Sequence, residues 1–89
     1  ALHQNRPNPF NPSTTIWYDV PERGYVSLSI FDASGRHIRT LTSRIDGAGR
    51  HSALWDGRDD SGVPQSSGVY FYQLRIGNQV ESKKMVLLK

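Results

Sequence analysis

The sequence predicts an all-β fold, an antiparallel β-sandwich of six to seven strands. Three observations carry this: short segments whose apolar residues alternate with a period of two, turn residues recurring between them, and no segment with convincing helical periodicity. With 89 residues the chain holds one small domain, which buries roughly two-thirds of its unfolded surface around a thin core. A substrate cavity would have to be carved from that core, so length alone argues against an enzyme.

Residues 1–13 contain Pro7, Pro9 and Pro12 among three asparagines. They cannot be helical and read as an extended lead-in or linker, ordered where Phe10 finds a pocket. The sandwich is expected over residues 14–89. Thr14 to Val20 places Ile16, Tyr18 and Val20 on one face and Thr15, Trp17 and Asp19 on the other. Pro21-Glu22-Arg23-Gly24 turns the chain, and Tyr25 to Asp32 alternates Val26, Leu28 and Ile30 against Ser27, Ser29 and Phe31.

Ala33-Ser34-Gly35 supplies a tight connection before a segment from Arg36 to Thr42. The spacing of Ile38, Leu41 and Ile45 also fits a helix, but the threonines and flanking hairpin signals favour a bulged strand. After Gly47-Ala48-Gly49, the segment Arg50 to Asp56 is a strand with Ala53 and Trp55 facing in. Residues 57–67 are a polar loop. Gly68 opens the strongest strand, with Tyr70, Tyr72, Leu74 and Ile76 on one face, and Gly77-Asn78 is a hairpin signal leading into a closing strand from Gln79 to Lys89.

The 11 Lys and Arg exceed the 8 Asp and Glu by three and are scattered through both halves, which is no footprint for nucleic acid. Lysines are the exception, because Lys83, Lys84 and Lys89 all lie in the last seven residues. The chain has no cysteine, hence neither a disulfide framework nor a thiolate metal site. It begins with Ala1 and lacks the regions of a signal peptide, as a piece of a longer polypeptide would.

No Gly-x-Ser-x-Gly elbow accompanies His3, His37 and His51, so no nucleophilic triad is indicated. The acidic loop Asp56-Gly57-Arg58-Asp59-Asp60-Ser61-Gly62 fails the EF-hand pattern at its third and sixth positions. It reads instead as Asx-turns with Arg58 neutralising the neighbouring carboxylates. No cofactor is implied. Trp17 and Phe31, outside the expected core, are the one argument for a sugar-stacking surface, against the plainer reading that a loop or the lead-in covers them. A buried Tyr70 or Tyr72 needs a hydroxyl partner and would tie a loop to the sheet, as in a tyrosine corner.

The last segment, Lys83-Lys84-Met85-Val86-Leu87-Leu88-Lys89, has two readings. Flanking lysines keep a final apolar strand from pairing with other chains; equally, such a strand at a chain terminus is something a receptor reads by strand addition.

Four groups of residues, in order, match a known family. They are Asn8-Pro9-Phe10-Asn11-Pro12-Ser13-Thr14-Thr15-Ile16 running into Pro21; Leu28-Ser29-Ile30-Phe31-Asp32 with Gly35-Arg36; Trp55-Asp56-Gly57-Arg58-Asp59 with Gly62, then Ser67-Gly68-Val69-Tyr70-Phe71-Tyr72; and Lys83 to Lys89. The chain resembles the C-terminal sorting domain, type A, of type IX (Por) secretion substrates, which is similar to the immunoglobulin-like domain of the flagellar hook-capping protein. The resemblance implies an immunoglobulin-like sandwich at the extreme C-terminus of a large exported protein. It also implies a non-catalytic signal, read by the outer-membrane translocon and by a sortase, that carries an N-terminally fused cargo domain through the periplasm to the cell surface.

Carried over as the recognition element are Lys83, Lys84, Met85, Val86, Leu87, Leu88 and Lys89. Gly68 to Tyr72 form the strand that holds them, and Pro9, Phe10, Trp55, Asp56, Gly57, Asp59, Gly68, Tyr70 and Tyr72 are the structural motif. Two other classes compete: an accessory carbohydrate-binding sandwich using Trp17 and Phe31, and an assembly module of a surface filament. Strand exchange through the lead-in or the last strand is a route to self-association.

Overall fold

A computed structural model describes residues 1–89. Its strands are β1 (Thr14–Val20), β2 (Gly24–Asp32), β3 (His37–Asp46), β4 (Gly49–Trp55), β5 (Gly68–Ile76) and β6 (Gln79–Leu87). They form two antiparallel layers, a two-stranded sheet of β1 and β4 and a four-stranded sheet in the order β3-β2-β5-β6. Alternation decides what lies between the layers: Ile16, Tyr18 and Val20 from β1, Val26, Leu28 and Ile30 from β2, Tyr70, Tyr72 and Leu74 from β5, and Met85 and Leu87 from β6 are all buried. From β4 only Trp55 is fully buried, with Ala53 packed at the margin.

Strand β3 differs from the expectation. It continues to Asp46 rather than ending at Thr42, and Ile45 is 59% exposed beside an equally exposed Tyr25. Ile45 lies on the outer face by plain alternation, in regular register from Asp46 to Thr42, and the pairing with β2 becomes irregular only beyond Thr42. Leu28 faces Thr42 while Ser29 faces Thr40, and Ile30 faces Arg39 while Phe31 faces His37, so Leu41 and Ile38 are each one residue in excess. These two bulges re-aim the first half of the strand, where Ile38 is buried, while Thr42 and Asp46 are buried in the regular half.

The inward Asp46 is matched by partners: the Tyr18 hydroxyl donates to its Oδ2 at 2.7 Å and the Arg44 Nε to its Oδ1 at 2.7 Å. Burial pushes the Asp46 carboxyl up, but the bonds from Tyr18 and Arg44 outweigh this and hold it below the ordinary value. Burial and the same contact push the Tyr18 phenol up.

The lead-in is part of the sandwich. Residues 1–6 run antiparallel to β1, with backbone bonds from His3 to Trp17, from Asp19 to Ala1, and in both directions between Arg6 and Thr15. The chain then crosses to the other layer, where Phe10 pairs in parallel with Leu87 of β6. In the loop, Asp59 Oδ1 accepts from the amides of Ser61 and Val63, and Asp56 Oδ1 from that of Arg58. The Arg58 guanidinium does not neutralise these acids as the sequence suggested. It donates to the Gly62 carbonyl at 2.9 Å, and Arg39 pairs with Asp56 instead. Asp60 exchanges hydrogen bonds with the outer edge of β3 at Thr40 and Ile38, covering the first part of that edge.

Candidate functional site

The C-terminal strand is held on both sides. On one side its register with β5 is Gly68 to Leu87, Val69 to Val86, Tyr70 to Met85, Phe71 to Lys84 and Tyr72 to Lys83. On the other side lies the lead-in. The Phe10 amide donates to the Val86 carbonyl and the Leu88 amide to the Phe10 carbonyl, both at 3.0 Å, while Asn8 Oδ1 accepts from the Val86 amide at 3.0 Å. Gln4 Nε2 reaches the Lys84 carbonyl at 2.8 Å, and the Lys89 amide reaches Ser67 Oγ at 2.9 Å. Both edges of residues 84–88 are therefore occupied. Recognition by adding a strand to this edge, one of the two readings of the sequence, would require displacing the lead-in.

Motif residues far apart in the chain converge on the end of β6. Phe10 lies 5.6 Å, ring to ring, from Trp55, which lies 5.2 Å from Tyr70; all three are buried. The Trp55 indole donates to the Arg58 carbonyl at 2.8 Å, fixing the start of the acidic loop. Gly57 adopts a φ of +78°, and a Cβ there would stand 3.2 Å from the Pro12 carbonyl oxygen and 3.8 Å from Leu87, so a glycine is required. The Tyr70 hydroxyl donates to the Ser66 carbonyl four residues earlier at 2.7 Å, the geometry of a tyrosine corner. Tyr72 ties down the lead-in: its hydroxyl donates to the His3 carbonyl at 2.7 Å and accepts from the Asn5 amide at 2.9 Å. Burial pushes both phenols up. Pro9 precedes the buried Phe10, and Asp56 and Asp59 shape the loop as described.

Within Lys83 to Lys89 the side chains divide. Met85 and Leu87 are fully buried, whereas Lys84, Leu88 and Lys89 are exposed and Lys83 and Val86 half-buried. Lys84 and Val86 emerge on the outer face of the four-stranded sheet, opposite Phe71 and Val69, each 38% exposed. None of the three lysines is in an ion pair.

Trp17 and Phe31 do not share a surface. Trp17 is on the outer face of the β1-β4 layer and Phe31 on the outer face of the other layer, beside Phe71 and edge-on to His37. A two-aromatic sugar platform is therefore ruled out by the sandwich itself. Each histidine is engaged locally, His3 with Asp19 at 2.5 Å, His37 with Thr40 at 2.9 Å and His51 with the Gly47 carbonyl at 2.7 Å.

A sandwich of a short and a longer antiparallel sheet with a tyrosine corner defines an immunoglobulin-like module. The chain belongs to the FlgD Ig-like domain family, whose profile matches residues 19–79. Among solved structures, dimeric latent PorU from Porphyromonas gingivalis superposes with a TM-score of 0.77 at 21% identity, over 98% of this chain and 9% of that one. PorZ, an essential bacterial surface component of the type IX secretion system of the same organism, gives 0.63 at 19% identity, over 99% of this chain and 11% of that one. FlgD from Xanthomonas campestris, described in hook capping for flagellar assembly, gives 0.67 at 24% identity, over 89% and 58%. At such identities the likeness shows the fold, and this chain spans only about a tenth of PorU and PorZ. Comparison with curated proteins finds no match.

Proposed function

We propose that the domain is a non-catalytic C-terminal sorting signal, which directs a cargo fused at its N-terminus to the outer-membrane translocon of a type IX secretion system and on to the cell surface. A sortase is the second partner. The observation that carries this is the hold on Lys84–Lys89: the lead-in, the acidic loop and β5 all converge on the last strand and present its outward side chains in a rigid frame. The likeness in fold to PorZ, a surface component of a type IX secretion system, agrees with this reading.

With both strand edges filled, the readable surface is Lys84, Val86, Leu88 and Lys89, alongside Val69 and Phe71. The test uses a fluorescent protein carrying an export signal and this domain, expressed in a type IX host. Surface delivery of the intact fusion, with periplasmic retention of Lys84→Glu/Val86→Asp at unchanged melting temperature, supports the proposal. Retention of the intact fusion in the periplasm overturns it. Surface delivery of a fusion lacking Lys84 to Lys89 also overturns it.

A further inference from the structure

The outer face of the β1-β4 layer carries a second feature, unrelated to the C-terminal strand. An open groove of about 520 Å³ runs between the lead-in, β1 and β4, lined by His3, Gln4, Arg6, Thr15, Trp17 and Arg50. This volume lies within the roughly 300–1,000 Å³ of small-ligand sites. The lead-in builds one wall, so the groove exists only because residues 1–6 pair with β1.

The groups in it are unusually free. The Trp17 indole stacks on no other ring, its N–H has no partner, and the Arg6 guanidinium makes neither an ion pair nor a hydrogen bond. Arg50 uses only Nε, at 3.2 Å from Asp19 Oδ1, leaving its terminal nitrogens available. The adjacent carboxylate, Asp19, is occupied by His3 and Arg50, whose hydrogen bonds hold it below its ordinary value. The Gln4 amide nitrogen is spent on Asn5 and Lys84, which leaves its carbonyl oxygen as a spare acceptor, and Thr15 lines the same groove.

We propose that this groove binds a carboxylated saccharide. The indole offers a flat apolar face for the C–H side of a pyranose ring, the spare donors and acceptors match its hydroxyls, and Arg6 with Arg50 matches a carboxylate through charge-assisted bonds. The charge complementarity selects an acidic sugar over a neutral one. A nucleic acid would need a longer cationic track with several stacking rings, and Trp17 stands alone here.

The test is titration of the intact domain, followed by calorimetry, with short oligogalacturonides, neutral galacto-oligosaccharides of the same length, and oligoglutamate. The neutral sugar is expected to bind at least about tenfold more weakly than the uronate. Trp17→Ala should weaken uronate binding by about tenfold or more, and Arg6→Gln should lower it to the level of the neutral sugar, both with an unchanged melting temperature. If Trp17→Ala fails to fold, Arg6→Gln, at an exposed position, carries the test. No binding of uronate at millimolar concentration overturns the proposal. Uronate affinity unaffected by both substitutions, or equal affinity for oligoglutamate, also overturns it.

Discussion

Tyr72 shows how much one hydroxyl can organise. It closes hydrogen bonds to His3 and Asn5, nearly seventy positions away, and Asn5 is itself buried. Tyr72→Phe leaves that amide and carbonyl without their partner, a loss of about 1–3 kcal/mol in urea denaturation. Tyr72→Ala removes the ring as well and should cost about 3–5 kcal/mol; an unchanged midpoint would remove the residue from the core's supports. Gly57→Ala meets both a positive φ and the Pro12 carbonyl, so a loss of more than about 1 kcal/mol is expected by the same measurement.

Asp46 sets an acid limit. Its folded pKa lies below the unfolded value of 3.8, so the stability it contributes is fully present above that value and is lost as pH falls through the folded one. The urea midpoint should therefore drop as the pH falls below about 4. Asp46→Asn should be less stable at neutral pH and lose less on acidification. Asp19 and Asp32, held low by hydrogen bonds from His3 and Ser34 respectively, maintain a residual slope.

At the scale of elements, the lead-in is an edge cover. It satisfies the outer edge of β1 and the C-terminal half of β6, the exposed backbone that otherwise templates association. Removing residues 1–10 should make the domain self-associate in a concentration-dependent way by light scattering. The alternation that turns Thr15, Trp17 and Asp19 toward the lead-in leaves the backbone of Arg50, Ser52 and Leu54 at the free edge of β4. That edge is guarded by a charge at Arg50. The elements also show the limits of local patterning: β1, β2 and β5 could be read directly because strict alternation is a property of neighbours along the chain. The true length and face of β3 could not, because a bulge arises where Leu41 or Ile38 has no counterpart on β2.

At the scale of the molecule, residues 1–18 and 80–89 lie outside the family match, and within them Gln4, Asn8 and Phe10 bond to Lys84, Val86 and Leu88. Fully buried Met85 and Leu87 make the last strand a structural necessity as well as a candidate signal. Losing both, at about 2–5 kcal/mol each, approaches the whole stability of a small domain, roughly 5–15 kcal/mol. A chain ending at Lys83 should therefore show no cooperative melting transition by calorimetry. Export assays consequently need the outward substitutions at Lys84 and Val86, which separate recognition from folding.

The sequence by itself determined the fold class, most strand faces, the turns and the need of the buried tyrosines for partners. All of these follow from alternation and from the conformational preferences of glycine, proline and asparagine. Only the tertiary structure decided that the edge of β6 is already filled by Asn8 and Phe10, that Trp17 and Phe31 look in opposite directions, and that the lysine-rich segment divides into buried and presented side chains. Those outcomes depend on contacts between residues as many as eighty positions apart, such as Gln4 with Lys84, and no local pattern encodes which edge a distant segment will cover.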